Sequence, residues 1–192
     1  MWGLGAYVGY EIMARIFKHE KLPVDWVEKL FLYMIFGTVV GARIGHCLFY
    51  GWEYYSANPI EILYVWEGGL SSHGGAIGIL IAMYLYNKKV SKKGFIWIFD
   101  RLVIPVALIG AFIRFGNLMN SEIYGEPTTL PWGFIFVRNG DDWASHPTQI
   151  YEMLYCLVAF TAGIYLYAKK KAFDRQGLIF GVFLVIVFGT RF

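Results

Sequence analysis

The chain has 192 residues, 57% of them hydrophobic and 19% aromatic against 16% charged, with a positive mean hydropathy. That composition excludes an ordinary soluble domain and reads as an integral membrane protein. The formal net charge is +3 and the basic residues lie scattered between apolar runs, so nucleic-acid binding has no basic stripe to rest on.

Six apolar runs follow one another, at 1–17, 29–50, 70–87, 95–118, 147–168 and 177–192, with no internal repeat or low-complexity tract. The first has no basic leader and no small-residue cleavage site, so no cleavable signal is expected. The last, Leu178 to Phe192, would rise only about 22 Å as a helix against a hydrocarbon core of ~30 Å, so it is expected to be cut short. The connections after runs one, three and five hold most of the lysines, among them Lys88, Lys89, Lys92 and Lys93, whereas those after runs two and four hold only Arg138. The positive-inside rule then makes the odd connections cytoplasmic and puts the N-terminus and the 51–69 and 119–146 segments outside. The expected fold is an all-α polytopic transmembrane helix bundle. It is a single integral domain over 1–192, with an external loop or head segment at 119–146 between spans four and five.

In run two, GTVVGARIG places Gly37, Gly41 and Gly45 at steps of four, a stripe for close helix packing. Arg43 is roughly opposite that stripe on the helical wheel and faces either a polar interior or the headgroups. Run three opens with SSHGGAIG. Ser71 or Ser72 can cap the helix, Gly74 and Gly75 allow close approach, and His73 sits at the positive end of a helix dipole, where it suits a proton acceptor. A structural hydrogen-bonding histidine is the plainer alternative.

Run four ends in IRFGNLMNSEIYG, which puts an arginine, two asparagines and a glutamate where lipid should be. A lone arginine near the midplane costs ~2.5 kcal/mol or more, so the cluster needs a partner or a substrate. Arg114, Asn117 and Ser121, at i, i+3 and i+7, are expected to share a helix face. Arginine's planar fork suits phosphate and the neighbouring amides suit ester or phosphate oxygens; a snorkelling arginine at a helix end is the plainer alternative. In HPTQIYE, His146 precedes a helix-starting Pro147, and a dipole-matched helix start accounts for Gln149, Tyr151 and Glu152 without function. Arg191, in run six, would be costly at mid-span and is suspect for that reason. Cys47 and Cys156 lie inside apolar runs without metal-ligand spacing and read as packing residues, so no metal and no cofactor is expected. Arginines from several spans near the outer leaflet, with a histidine beside them, suit a substrate that is both anionic and lipidic.

The segment RFGNLMNSEIYG resembles the signature of the prolipoprotein diacylglyceryl transferases, and SSHGGAIG, GARIGHCLFY, SHPTQIYE and GTRF resemble further segments of that family over nearly the whole chain. The resemblance implies a bacterial cytoplasmic (inner) membrane enzyme with its active site toward the outer leaflet. It would move the diacylglyceryl group of phosphatidylglycerol onto the lipobox cysteine thiol of a prelipoprotein, forming a thioether and releasing glycerol phosphate. It further implies that Arg114, Asn117, Asn120, Glu122 and Gly125 belong to the signature, that His73 is the family's essential histidine and Arg191 its late essential arginine. Arg43 joins the residues expected to bind the lipid. His73 as base is the conventional choice, and Glu122 could share or replace it.

Two departures stand out. Trp2 occupies the place of a tyrosine the family carries in its first span, and the chain ends before a glutamate that follows the late arginine by one turn, so an inactive chain is one expectation. The competing class, a non-catalytic anion or anionic-lipid transporter, predicts inverted repeats and polar residues at several depths. An intramembrane protease would need a Ser/His or paired-Asp set at one depth.

Overall fold

The computed structural model describes residues 2–169 and 175–190. Every apolar run of the sequence becomes a helix: α1 Trp2–His19, α2 Asp25–Phe49, α4 Ser72–Tyr86, α5 Phe95–Met119, α6 Thr148–Ala168 and α7 Leu178–Gly189, with a short α3, Trp52–Ala57, between the second and third runs. The chain is mostly helical, as an all-α membrane protein should be. Among the described residues three helices, α2, α5 and α6, are long and apolar enough to cross a membrane, and α7 is a shorter apolar helix. The six expected spans are thus six helices in position but three by length and polarity. Glu11, Arg15 and Lys18 interrupt α1, and α4 has only 15 residues, about 22 Å of rise.

The chain divides into two compact units, Phe17–Ile98 and Met1–Ile16 with Phe99–Phe192, with boundaries inside α1 and α5. In the first unit, α2 and α4 pack through the glycine stripe. A Cβ on Gly41 would lie 2.5 Å from the Gly74 carbonyl oxygen, and one on Gly78 would lie 2.0 Å from that of Gly37. Lipid tails are as apolar as leucine, so this backbone proximity, not hydrophobic exclusion, holds the pair. Toward the other end of these helices, Leu30, Met83 and Tyr86 are buried, and the Tyr86 hydroxyl donates to the Trp26 carbonyl at 3.1 Å. Two 3-10 turns, Pro59–Leu63 and Val65–Glu67, lead from α3 to α4.

In the second unit α5 and α6 are joined by a segment with a fold of its own. Two-residue strands β1, Phe134–Ile135, and β2, Ala144–Ser145, pair antiparallel with Phe134 opposite Ser145, and Pro127 bridges to Ser145 from the other side. Nothing in the hydropathy pattern announces this hairpin. Asp100 near the start of α5 is 3% exposed and receives the Gly177 and Phe180 N–H groups at 2.6 and 2.9 Å. It thus supplies from a neighbouring helix the negative charge and the acceptors that the first turn of α7 lacks.

Candidate functional site

Arg114 lies one and a half turns before the end of α5, and its Nε is ion-paired with the Glu152 carboxylate of α6; the two side chains are 25% and 19% exposed. This is the partner that an arginine in an apolar helix requires. The helix-start account of Glu152 is corrected accordingly: its charge serves a guanidinium, and Pro147 makes no side-chain cap. The Arg114 Nη1 also donates to Asn117 Oδ1 at 3.4 Å, and Asn117 Nδ2 donates to Glu122 Oε2 at 3.3 Å. A chain of polar contacts therefore runs from Glu152 through Arg114 and Asn117 to Glu122. Gln149, 1% exposed, closes it by donating to the Glu122 carbonyl at 2.7 Å. The Nη2 group, by contrast, has no partner among the described residues, so the fork keeps donors for an anion.

Ser121 does not share the face of Arg114 and Asn117. The helix ends at Met119, and Ser121 and Ile123 have φ of +57° and +56°, which takes the chain out of helical register. Such left-handed backbone in non-glycine residues persists only when neighbours fix it. Asn139 Nδ2 donates to the Ser121 carbonyl at 2.7 Å, Thr148 Oγ1 to that of Ile123 at 3.1 Å, and Gly125 N to that of His146 at 2.9 Å. A Cβ on Gly125 would meet Thr148 Cγ2 at 2.7 Å, so glycine permits this approach. Glu122 and Asn120 are left exposed at the surface of the turn. His146 Nδ1 lies 3.2 Å from the Tyr151 hydroxyl, which accepts from Trp132 Nε1 at 2.9 Å. The phenol proton is then free to point at His146, a surface relay that orders the hairpin.

In the other unit Ser71, rather than Ser72, caps α4, its Oγ accepting from Gly74 N at 3.3 Å. His73 follows in the first turn, exposed and with no hydrogen-bond partner for its ring among the described residues. Arg43 is 2% exposed. Its Nε donates to the Ile62 carbonyl at 3.0 Å, Nη2 to that of Glu61 at 2.6 Å, and Nη1 to those of Gly68 and Gly69 at 2.6 and 3.4 Å. The guanidinium also stands 5.0 Å over the Tyr55 ring. Arg43, expected among the lipid-binding residues, thus turns its donors onto the carbonyls of one loop. The Glu61 carboxylate is taken by the Tyr54 hydroxyl at 2.6 Å, and this hydrogen bond raises the phenol above its usual range. Arg191 lies outside the described residues, as does the side chain of Trp2. Cys47 is buried and Cys156 half-buried, both as free thiols.

Glu152 and Gln149 are what sequence reasoning missed. Arg114 close to the end of α5 and Glu152 close to the start of α6 stand at matching depth if the two helices run antiparallel, and that was the available signal.

A family model described as prolipoprotein diacylglyceryl transferase matches residues 1–192. A Porphyromonas gingivalis protein named phosphatidylglycerol–prolipoprotein diacylglyceryl transferase is 49% identical over 202 residues, covering all of this chain and 71% of the relative. Relatives of the same name from Tolumonas auensis and Chloroherpeton thalassium are 45% and 44% identical, again over all of this chain and over 74% and 71% of their own lengths.

Proposed function

Because this chain belongs to the prolipoprotein diacylglyceryl transferase family, we propose that it catalyses that transfer at the residues just described. The lipobox cysteine sulfur attacks the glyceryl carbon bonded to the phosphate of phosphatidylglycerol. A carbon–sulfur bond forms, the carbon–oxygen bond breaks, the thiol proton passes to a base, and glycerol phosphate leaves with the electron pair. The nucleophile comes with the substrate, so neither Cys47 nor Cys156 is needed for the chemistry.

The observation that carries this reading is Arg114. Its guanidinium is oriented by Glu152 and Asn117 at the end of an apolar helix and keeps Nη2 for the phosphate oxygens, where charge develops as the bond breaks. Arg191 shares that task. Asn117, Asn120 and the Gly125 turn line the lipid headgroup. A free thiol with a pKa of about 8.5 is only a few per cent thiolate at pH 7, so a base within reach raises the reactive fraction. His73, exposed and with no hydrogen-bond partner for its ring among the described residues, serves as that base, and Glu122, exposed beside Asn117, is the alternative. The lysine distribution supports a site at the outer leaflet of the bacterial inner membrane, with the peptide reaching it from outside. The transporter reading gains nothing from the relatives' names. Incubating the protein in phosphatidylglycerol vesicles with a lipobox peptide should add one diacylglyceryl mass to the peptide. An unmodified peptide, while the lipid or another anion crosses the bilayer, would favour transport.

A further inference from the structure

Arg43 is a cation in the last third of an apolar helix, buried to 2%, and none of the ion pairs among the described residues includes it. Carbonyl dipoles balance its charge instead. They come from two stretches of one loop: residues 61 and 62, and residues 68 and 69 just before α4. The second stretch takes a special backbone to reach it. Gly68 and Gly69 have φ of +90° and +67°, and a Cβ on Gly69 would lie 2.7 Å from the His46 ring and 2.9 Å from Arg43 Nη1. Two residues on, Ser71 N donates to the carbonyl of Ala42, the neighbour of Arg43, at 2.9 Å, and Ser71 Oγ caps α4. The first turn of α4 is therefore pinned to residues 42 and 43 from above, while Gly74 is pressed onto Gly41 and Gly45 from below. His73 lies between these two anchors. The glycine contact sets how closely the helices approach, whereas the carbonyl clamp sets how the chain turns into α4 and so where the imidazole projects.

We propose that Arg43 is a positioning residue that aims His73 by clamping the loop leading into α4. The proposal rests on the reading of His73 as the base. It separates Arg43 from Arg114, which acts on the lipid itself. Lysine keeps the charge of Arg43 but cannot serve carbonyls at both stretches, since a point ammonium lacks the planar fork.

The test is a double-mutant cycle between Arg43→Lys and His73→Gln, with kcat and KM for phosphatidylglycerol measured in lipid nanodiscs. Arg43→Lys alone should lower kcat about 100-fold, the cost of displacing a catalytic group by roughly an ångström, with KM for the lipid changed less than about twofold. In the His73→Gln background the same substitution should cost less than about threefold, because the group it aims is already gone. Gly69→Ala, which keeps Arg43 but strains the clamped turn, should repeat the kcat loss and the same non-additivity, and it stands in if Arg43→Lys fails to fold. An equal loss in both backgrounds, or a loss confined to KM, would overturn the proposal in favour of a general structural or lipid-binding role. If His73→Gln alone leaves kcat undiminished, the reading of His73 falls first and the aiming role with it.

Discussion

Replacing Arg114 by lysine keeps the charge and removes the geometry. Arginine addresses Glu152 through Nε and Asn117 through Nη1 and still presents Nη2, all in one rigid plane. A lysine ammonium can stay with Glu152 or turn to the lipid phosphate, but it cannot hold one and present parallel donors to the other. Loss of one pre-oriented donor to developing negative charge costs about 100- to 1,000-fold in kcat, or roughly 2.7–4 kcal/mol. Folding should suffer far less, because Glu152 keeps a cationic neighbour. The assay is steady-state transfer to a lipobox peptide, with an unfolding midpoint measured on the same preparation. Activity within about threefold of the parent would mean that Arg114 exists only to neutralise Glu152 or to snorkel, and the phosphate-binding role would be lost.

Asn117→Ala should be milder, about 2- to 10-fold in kcat/KM, since one neutral hydrogen bond is worth roughly 0.5–1.5 kcal/mol; a loss as large as that of Arg114→Lys would make the amide a primary ligand. His73→Gln should bind phosphatidylglycerol as the parent does but transfer slowly, with partial recovery as pH rises toward the thiol's own pKa near ~8.5, where thiolate forms without a base. A collapse of lipid affinity, or a flat rate at high pH, would move the base to Glu122. Asp100→Asn should lower stability by about 1.5–3 kcal/mol, because the N–H groups of Gly177 and Phe180 at the start of α7 lose a charged acceptor; an unchanged unfolding midpoint would show that the cap is dispensable.

The positions of the helices were legible because hydropathy is a local property: each apolar run is a helix within a few residues. The glycine stripe was legible for the same reason, since steps of four put Gly37, Gly41 and Gly45 on one side of α2 whatever lies opposite. Span length was less so, because charges inside α1 and the short α4 weaken runs that look continuous on a hydropathy scale. The surface relation of Ser121 to Arg114 failed on backbone conformation, as no residue type announces that Ser121 and Ile123 will turn left-handed. The partner of Arg43 was hidden for a different reason: backbone carbonyls carry no side-chain signature, and only the Gly68–Gly69 pair hinted that the loop would bend to meet it. Glu152 was visible as a residue but not as a partner, since pairing across two helices depends on how the intervening hairpin brings them together.

In the proposed transfer the glyceryl carbon of the lipid, and not its phosphate, ends on the cysteine sulfur. Phosphatidylglycerol carrying one isotope in the diacylglyceryl moiety and another in the headgroup, given to the protein with a lipobox peptide, decides it. The first label should appear on the peptide in a linkage stable to thioester cleavage, and the second in water-soluble glycerol phosphate, in equal amounts. Headgroup label on the peptide, or glycerol phosphate released with no modified cysteine, would contradict it.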